Sequence, residues 1–258
     1  MSDGPGSRPQ ALPPVRPALA TWHRFSSASP SGEDLSTDTA VYGADIPTEA
    51  QLKLLGTLEG KRVLDLGCGA GHASVAFARQ GAKVIAVDPS NAQLDRAREA
   101  ADAAEVKVEL QQAELADLAF VRADAIDVAF SAFALAEVVD LDRVFRQVHR
   151  VLKPECPLVF SLPHPAFSMF SPTAEHPLAV HRRYHDPSLV TWYHGDDEVV
   201  DHPKTVSSVF TSLTRANFRV DAILEPEVPD EALRSHSWAD LMQCVPATII
   251  YRARKLGI

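Results

Sequence analysis

Val63-Leu64-Asp65-Leu66-Gly67-Cys68-Gly69-Ala70-Gly71-His72 is the stretch from which the architecture of the chain can be read. Val63, Leu64 and Leu66 make an apolar, branched run that reads as a buried strand, and the run stops at three glycines spaced Gly-x-Gly-x-Gly. Val75, Phe77 and Ala78 then recur with helical spacing before Gly81. Strand, glycine turn and helix in succession have the form of a nucleotide-binding loop. Glycine permits the sharp turn and leaves no β-carbon between main chain and ligand. The helix behind it offers unpaired N–H groups and a positive dipole end to an anion.

A second signal stands at a matching distance. Lys83-Val84-Ile85-Ala86-Val87 is another buried-strand run, and it ends at Asp88, 21 residues beyond Gly67. An acid about 20 residues past a glycine loop, at the tip of the next strand, can accept both hydroxyls of a ribose. The alternative is that Asp88 caps the helix that begins at Pro89-Ser90.

The dinucleotide fingerprint Gly-x-Gly-x-x-Gly would require glycine at position 72, where the chain has His72. The Asp-Leu-Gly-Cys-Gly-Ala-Gly run with Asp88 behind it instead resembles motifs I and II of the class I S-adenosylmethionine-dependent methyltransferases. The resemblance implies a three-layer, doubly wound α/β fold with a seven-stranded, mostly parallel sheet, and S-adenosylmethionine as cofactor. In that family Asp65, Gly67, Cys68, Gly69 and Gly71 would cradle the methionine part, while Asp88, with Pro89 beside it, would hold the ribose. Glu114 stands where the family usually carries an aspartate for the adenine amino group; either it reaches that group with a shifted backbone, or the contact is lost and Leu115 packs on the ring. Ser131, Ala132 and Phe133 resemble motif IV, where methyl donor and acceptor meet. Tyr42 is carried over from a Tyr-Gly segment that reaches the methionine end of the cofactor in related enzymes. The resemblance covers residues 45–162 by motif and 205–254 by element order. A nicotinamide-dependent oxidoreductase and a non-catalytic cofactor-binding relative are the alternatives.

Size and composition set bounds. The 258 residues can bury a full core, and 46% hydrophobic with 23% charged content is ordinary for a soluble globular protein. A net charge of -9 speaks against a broad phosphate-neutralising surface, so nucleic acid is not the expected partner and a small-molecule acceptor is. Three scattered cysteines suggest neither a disulfide framework nor a zinc site, and Cys68 reads as a small loop residue. No apolar run approaches 18 residues and no secretory pattern opens the chain, so no membrane span is expected and the cytoplasm is the expected compartment. The composition leaves the oligomeric state open.

Taken in order, residues 1–20 are proline-rich and expected to be disordered, with residues 21–258 forming the methyltransferase domain. Trp22, His23 and Phe25 would either dock on the core or cap the cofactor. Capping-box spacing at Thr48–Gln51 predicts a helix running through Leu52, Leu55 and Leu58. Further helices are expected over 90–103, behind Asp140 (with Leu141, Val144, Val148 and Val151 on one face), and over 205–217. Strands are expected over 106–110, 125–131, 158–162, 218–224 and 247–251. Gly67, Asp88, Glu114 and Ser131 then all fall at strand ends that point one way, the edge where open parallel sheets bind ligands.

Residues 163–204 break the rhythm, with little periodicity but many aromatics and six of the ten histidines. This insert is expected to lie over the strand ends as a lid on the acceptor pocket. Methyl transfer from a sulfonium needs positioning above all, and a base if the nucleophile carries a proton. His164, at the end of the fifth expected strand, is the first candidate base, followed by Tyr184 and by His202, with His185 beside them. His181 and His185 are four apart, but Arg182 occupies the place where a helical zinc motif needs glutamate, so no metal is expected.

Overall fold

The computed structural model describes residues 37–171, 174–194, 197–228 and 238–257. The proline-rich segment 1–20, the aromatic group Trp22, His23 and Phe25, and the side chains of Trp192 and Tyr193 lie outside that description. Strands β1 (Arg62–Leu66), β2 (Lys83–Asp88), β3 (Val108–Gln112), β4 (Val128–Ala132), β5 (Pro157–Pro163), β8 (Phe218–Leu224) and β9 (Thr248–Lys255) form one sheet in the order β3-β2-β1-β4-β5-β9-β8. The first five run parallel, and β9 is antiparallel to both of its neighbours. Strands β6 (Val190–His194) and β7 (Asp197–Asp201) form a separate antiparallel hairpin.

Among the described residues the α-helices are α1 (Glu49–Leu52), α2 (His72–Arg79), α3 (Asn91–Ala103), α4 (Leu141–Val151) and α5 (Val206–Arg215). The two faces of the sheet each carry their own core. Leu64, Leu66 and Phe160 belong to the cluster that includes Phe145 and Val148 of α4 and Val209 and Leu213 of α5. Val63, Phe130 and Val159, which point the other way, join Phe77 of α2 and Leu94 of α3. Alternation along buried parallel strands therefore builds three layers, and each apolar side chain so buried stabilises the fold by about 1.5–3 kcal/mol.

Local chemistry sets the element ends. Asp140 accepts the Arg143 N–H at 3.0 Å and starts α4, and Thr205 accepts the Ser208 N–H at 3.1 Å and starts α5. The helix expected from Thr48 to Leu58 stops after one turn, at Leu52. Lys53 adopts a left-handed conformation (φ 52°), and the buried carboxylate of Glu49 takes the N–H groups of Leu54 and Leu55, which leads the chain out of the helix. The third strand begins at Val108, two residues later than expected, because the Val106 N–H still bonds to Ala101 in the helix exit. The fourth begins at Val128, and Ile126 makes only an isolated bridge to Leu152. Residues 163–204, expected to lack regular structure, hold a short 3-10 turn over Phe167–Met169 as well as the β6–β7 hairpin. Among the described residues no helix is long and apolar enough to cross a membrane.

Candidate functional site

The turn that leaves β1 is shaped by β2. The N–H groups of Gly67 and Cys68 both donate to the Val87 carbonyl, at 2.8 and 3.1 Å, and the Gly71 N–H closes the loop on Cys68 at 2.9 Å. Gly67 (φ 70°) must be glycine for a second reason: a β-carbon there would lie 2.1 Å from that of Ala134. At Gly71 (φ 82°) it would lie 2.8 Å from that of Ala97. Gly71 is the N-cap of α2, and no side chain caps that helix, so its leading N–H groups are left for an external acceptor.

Asp88, nearly buried, holds this loop in place. One carboxylate oxygen accepts the Gly69 N–H at 2.9 Å and the other accepts the Ser90 N–H at 2.9 Å. Ser90 itself caps α3 through Gln93, so Asp88 is not the helix cap. Each carboxylate oxygen retains a lone pair, enough for a pair of vicinal hydroxyls. Burial raises the Asp88 pKa, while the two N–H groups lower it. Asp65 is fully buried at the end of β1 and accepts the Ser74 hydroxyl of α2 at 2.6 Å. Burial pushes its carboxyl up to about 7, opposed by the Ser74 bond and reinforced by the charge of Asp88. The Cys68 thiol is likewise buried and its pKa raised, chiefly by desolvation, so it is an inert wall of the loop.

A glycine cradle, an uncapped helix start and a buried acid with free lone pairs form a donor and acceptor set that fits a nucleoside cofactor with an anionic end. Leu115 is buried against Gly67, while Glu114, just beyond β3, is exposed. Pro89 is exposed and its carbonyl accepts the Gln112 amide at 3.1 Å. Ser131 is buried in β4 and donates to the Leu66 carbonyl at 2.8 Å, which joins the ends of β1 and β4. Ala132 and Phe133 are buried beside it, and Phe133 (φ 60°) turns the chain into the 3-10 turn Ala134–Ala136. Tyr42 sits apart. It is fully buried, its hydroxyl donates to Glu49 at 2.6 Å and its ring packs on Phe130, so it belongs to the core and lines no open surface.

A hollow lies beside the turn that follows β4. The Ala134–Ala136 turn presses Ala134 on Gly67 and presents Ala136 to a cavity of about 250 Å³. His164, Tyr184 and His202, distant in sequence, all line this cavity, together with Arg182, His185 and Lys204. Both ring nitrogens of His164 are engaged. Nδ1 accepts the Ala166 N–H at 3.1 Å, which places the proton on Nε2, and Nε2 donates to Glu225 at 2.8 Å. The Tyr184 hydroxyl accepts the Val206 N–H at 3.4 Å, and its ring meets His185 edge-on. His202 donates its backbone N–H to the Ala136 carbonyl at 2.9 Å. A wider hollow at the opposite end of the sheet is lined by Arg62, Lys83 and Lys107 and touches none of these residues.

Sequence reading missed three groups here. Glu225 is 61 residues from the imidazole it binds, and Lys204 is 68 residues from Ala136, so no local pattern announces either contact. Arg182 entered only as the residue that breaks a zinc motif; in the fold it donates to the carbonyls of Asp186 and Ser188.

Residues 63–155 match a family described as a methyltransferase domain. A ubiquinone biosynthesis O-methyltransferase from Hahella chejuensis is 38% identical over 104 residues, covering 40% of this chain and 44% of that protein. The chain thus matches less than half the length of that relative. A Haemophilus influenzae protein is 25% identical over 225 residues, covering 82% of this chain and 87% of its own length. Among solved structures, an S-adenosylmethionine-dependent methyltransferase from Mesorhizobium loti superposes with a TM-score of 0.65 at 28% identity, covering 79% of this chain and 95% of that one.

Proposed function

We propose that this chain, which belongs to the class I S-adenosylmethionine-dependent methyltransferases, transfers the methyl group of S-adenosylmethionine to an O, N or C nucleophile of a small molecule. When bound, the cofactor supplies a methyl group activated by a positive sulfur. The residues around it bind and orient. In this reading the Gly67–Gly71 loop and the start of α2 take the methionine part, Asp88 takes the ribose hydroxyls, and Leu115 covers the adenine. The ends of β4 and β5 receive the acceptor, and residues 163–204 close over it as a lid.

The observation that carries this reading is the Ala134–Ala136 turn, with the glycine loop against one end and the 250 Å³ cavity against the other. A cavity of that size suits a small acceptor, and the net charge of -9 suits no nucleic acid. Holding the nucleophile in line with the methyl carbon accounts for most of the acceleration, an effect worth up to about 7–11 kcal/mol in well-oriented systems. The names of the Hahella chejuensis relative and others like it add weight to an oxygen nucleophile.

Calorimetric titration with S-adenosylmethionine, S-adenosylhomocysteine, NADH and NADPH tests the class. Binding of the two sulfur nucleosides alone is expected. Binding of a nicotinamide cofactor alone would overturn it. Transfer of labelled methyl from S-adenosylmethionine to small-molecule extracts, and to neither tRNA nor protein, is the expected second result.

A further inference from the structure

We propose that Lys204 is the catalytic base of this methyltransferase, and that the acceptor it serves is a small molecule with an ionisable hydroxyl, a phenol above all. The inference rests on the methyltransferase reading and adds the proton acceptor and the chemical class of the substrate.

The geometry of the Lys204 amine is the starting point. Two of its three tetrahedral positions carry N–H groups donated to backbone carbonyls, Ala136 at 2.9 Å and His202 at 2.8 Å. Among the described residues nothing accepts from the third position, and Lys204 lines the cavity. That position is an N–H in the ammonium and a lone pair in the neutral amine. The two carbonyls are satisfied in either state, so the amine can gain or lose a proton without leaving a buried polar group unpaired. Ala136 ends the turn whose Ala134 abuts the glycine loop, so this nitrogen is tied to the turn that links that loop to the cavity.

The surroundings favour Lys204 over its neighbours. His164 has no free lone pair, since Ala166 and Glu225 occupy both nitrogens. Arg182 is paired with Asp186 and cannot act as a base. His185 packs its ring on Tyr184, and His202 presents its own carbonyl to Lys204. Asp201 is the charge that bears on Lys204, and it favours the ammonium. Burial outweighs it and brings the amine down to about 8, where a neutral fraction is present near neutrality. Leu162, Pro163, Pro165, Pro187 and Val190 supply apolar walls against which a ring can lie.

The step balances simply. The neutral amine takes the hydroxyl proton and becomes an ammonium. The oxygen's electron pair forms the new bond to the methyl carbon, the carbon–sulfur bond breaks, and its pair cancels the charge on sulfur. The ammonium later returns its proton to water.

Two measurements on the full chain test this. The first is an NMR pH titration of lysine labelled with carbon-13 at the ε position, with Lys204→Arg assigning the signal. Lys204 is expected to titrate near 8, well below the other lysines, and titration among them would overturn the proposal. The second uses 4-nitrophenol in the presence of S-adenosylhomocysteine, one pH unit below the phenol's own pKa. The bound probe is expected to absorb as phenolate, and Lys204→Met is expected to cut that band roughly tenfold, the equivalent of one pKa unit. An equal band in both proteins, or no binding of the probe to the S-adenosylhomocysteine complex, would overturn it. Calorimetry with S-adenosylhomocysteine separates the two levels. If the nucleoside itself fails to bind, the methyltransferase reading falls; if it binds and the titration or the band fails, only the base and the hydroxyl class fall.

Discussion

Gly67 and Ala134 approach so closely that a β-carbon on the first would lie 2.1 Å from that of the second. The contact joins the turn after β1 to the turn after β4, so the glycine loop and the turn that lines the 250 Å³ cavity share a wall. Gly67→Ala combines left-handed strain of about 1–2 kcal/mol with an overlap worth about 1–3 kcal/mol. We expect it to destabilise the chain by roughly 2–5 kcal/mol and to abolish measurable S-adenosylhomocysteine binding. Gly56→Ala is the control: its φ is 74° but the space around it is open, so only the strain should appear in a denaturant titration. Equal losses from the two would show that the Ala134 contact is slack.

Asp88 fastens the same loop from the other side. Asp88→Asn keeps one acceptor oxygen and must give up either the Gly69 or the Ser90 N–H. Asp88→Ala gives up both, together with any hydroxyl of the ligand. Bonds to a charged group are worth about 1.5–3 kcal/mol, so calorimetry should find affinity for S-adenosylmethionine reduced about 10- to 100-fold in the alanine variant, with a smaller loss in the asparagine one. Unchanged affinity would leave Asp88 with a purely structural part.

The places of these two residues in the fold were legible in the chain because their signals are local. Three glycines at fixed spacing end an apolar run, and an acid ends the next. Asp140 and Thr205 were legible as helix starts for the same reason. What escaped depends on side-chain partners that no spacing rule announces, whether they stand near in the chain or far along it. Nothing in the sequence around Glu49 shows that its carboxylate will take the Leu54 and Leu55 N–H groups and end a helix that capping-box spacing would prolong. Tyr42 was placed at the cofactor by resemblance, yet a buried Glu49 gives its hydroxyl a partner and draws it into the core. The histidines of residues 163–204 were visible as a group. Their individual states were not, because the partner of His164 arrives with the first residue after β8, 61 positions along the chain.

The His164–Glu225 pair yields a separable prediction. It links the end of β5 to the segment after β8, and Glu225 is about half exposed. Alanine at either position should cost about 1 kcal/mol in urea unfolding, and the double-mutant cycle should return a coupling of about 0.5–1.5 kcal/mol. His164→Ala should leave S-adenosylhomocysteine affinity unchanged and reduce turnover through the shape of the cavity. A vanishing coupling energy would mean that the two side chains do not depend on each other in solution.

The buried carboxyl of Asp65 should leave its mark on stability as a function of pH. Its ordinary value is 3.8 and burial raises it to about 7 in the folded chain. Between those values the folded state keeps a proton that the unfolded state has lost, so stability falls as pH rises through that window. At one pKa unit per 1.36 kcal/mol, the loss is on the order of 4 kcal/mol across it. Asp65→Asn removes the ionisation and keeps an oxygen for the Ser74 hydroxyl, which donates at 2.6 Å. Urea midpoints should therefore be close for the two proteins at the acid end of the window, with the variant the more stable above it. Taking the difference between them cancels the titrating groups that do not feel Asp65, Lys204 among them, and leaves Asp65 with its coupling to Asp88. Parallel curves throughout would show that Asp65 keeps its ordinary pKa in the fold, with water reaching the end of β1.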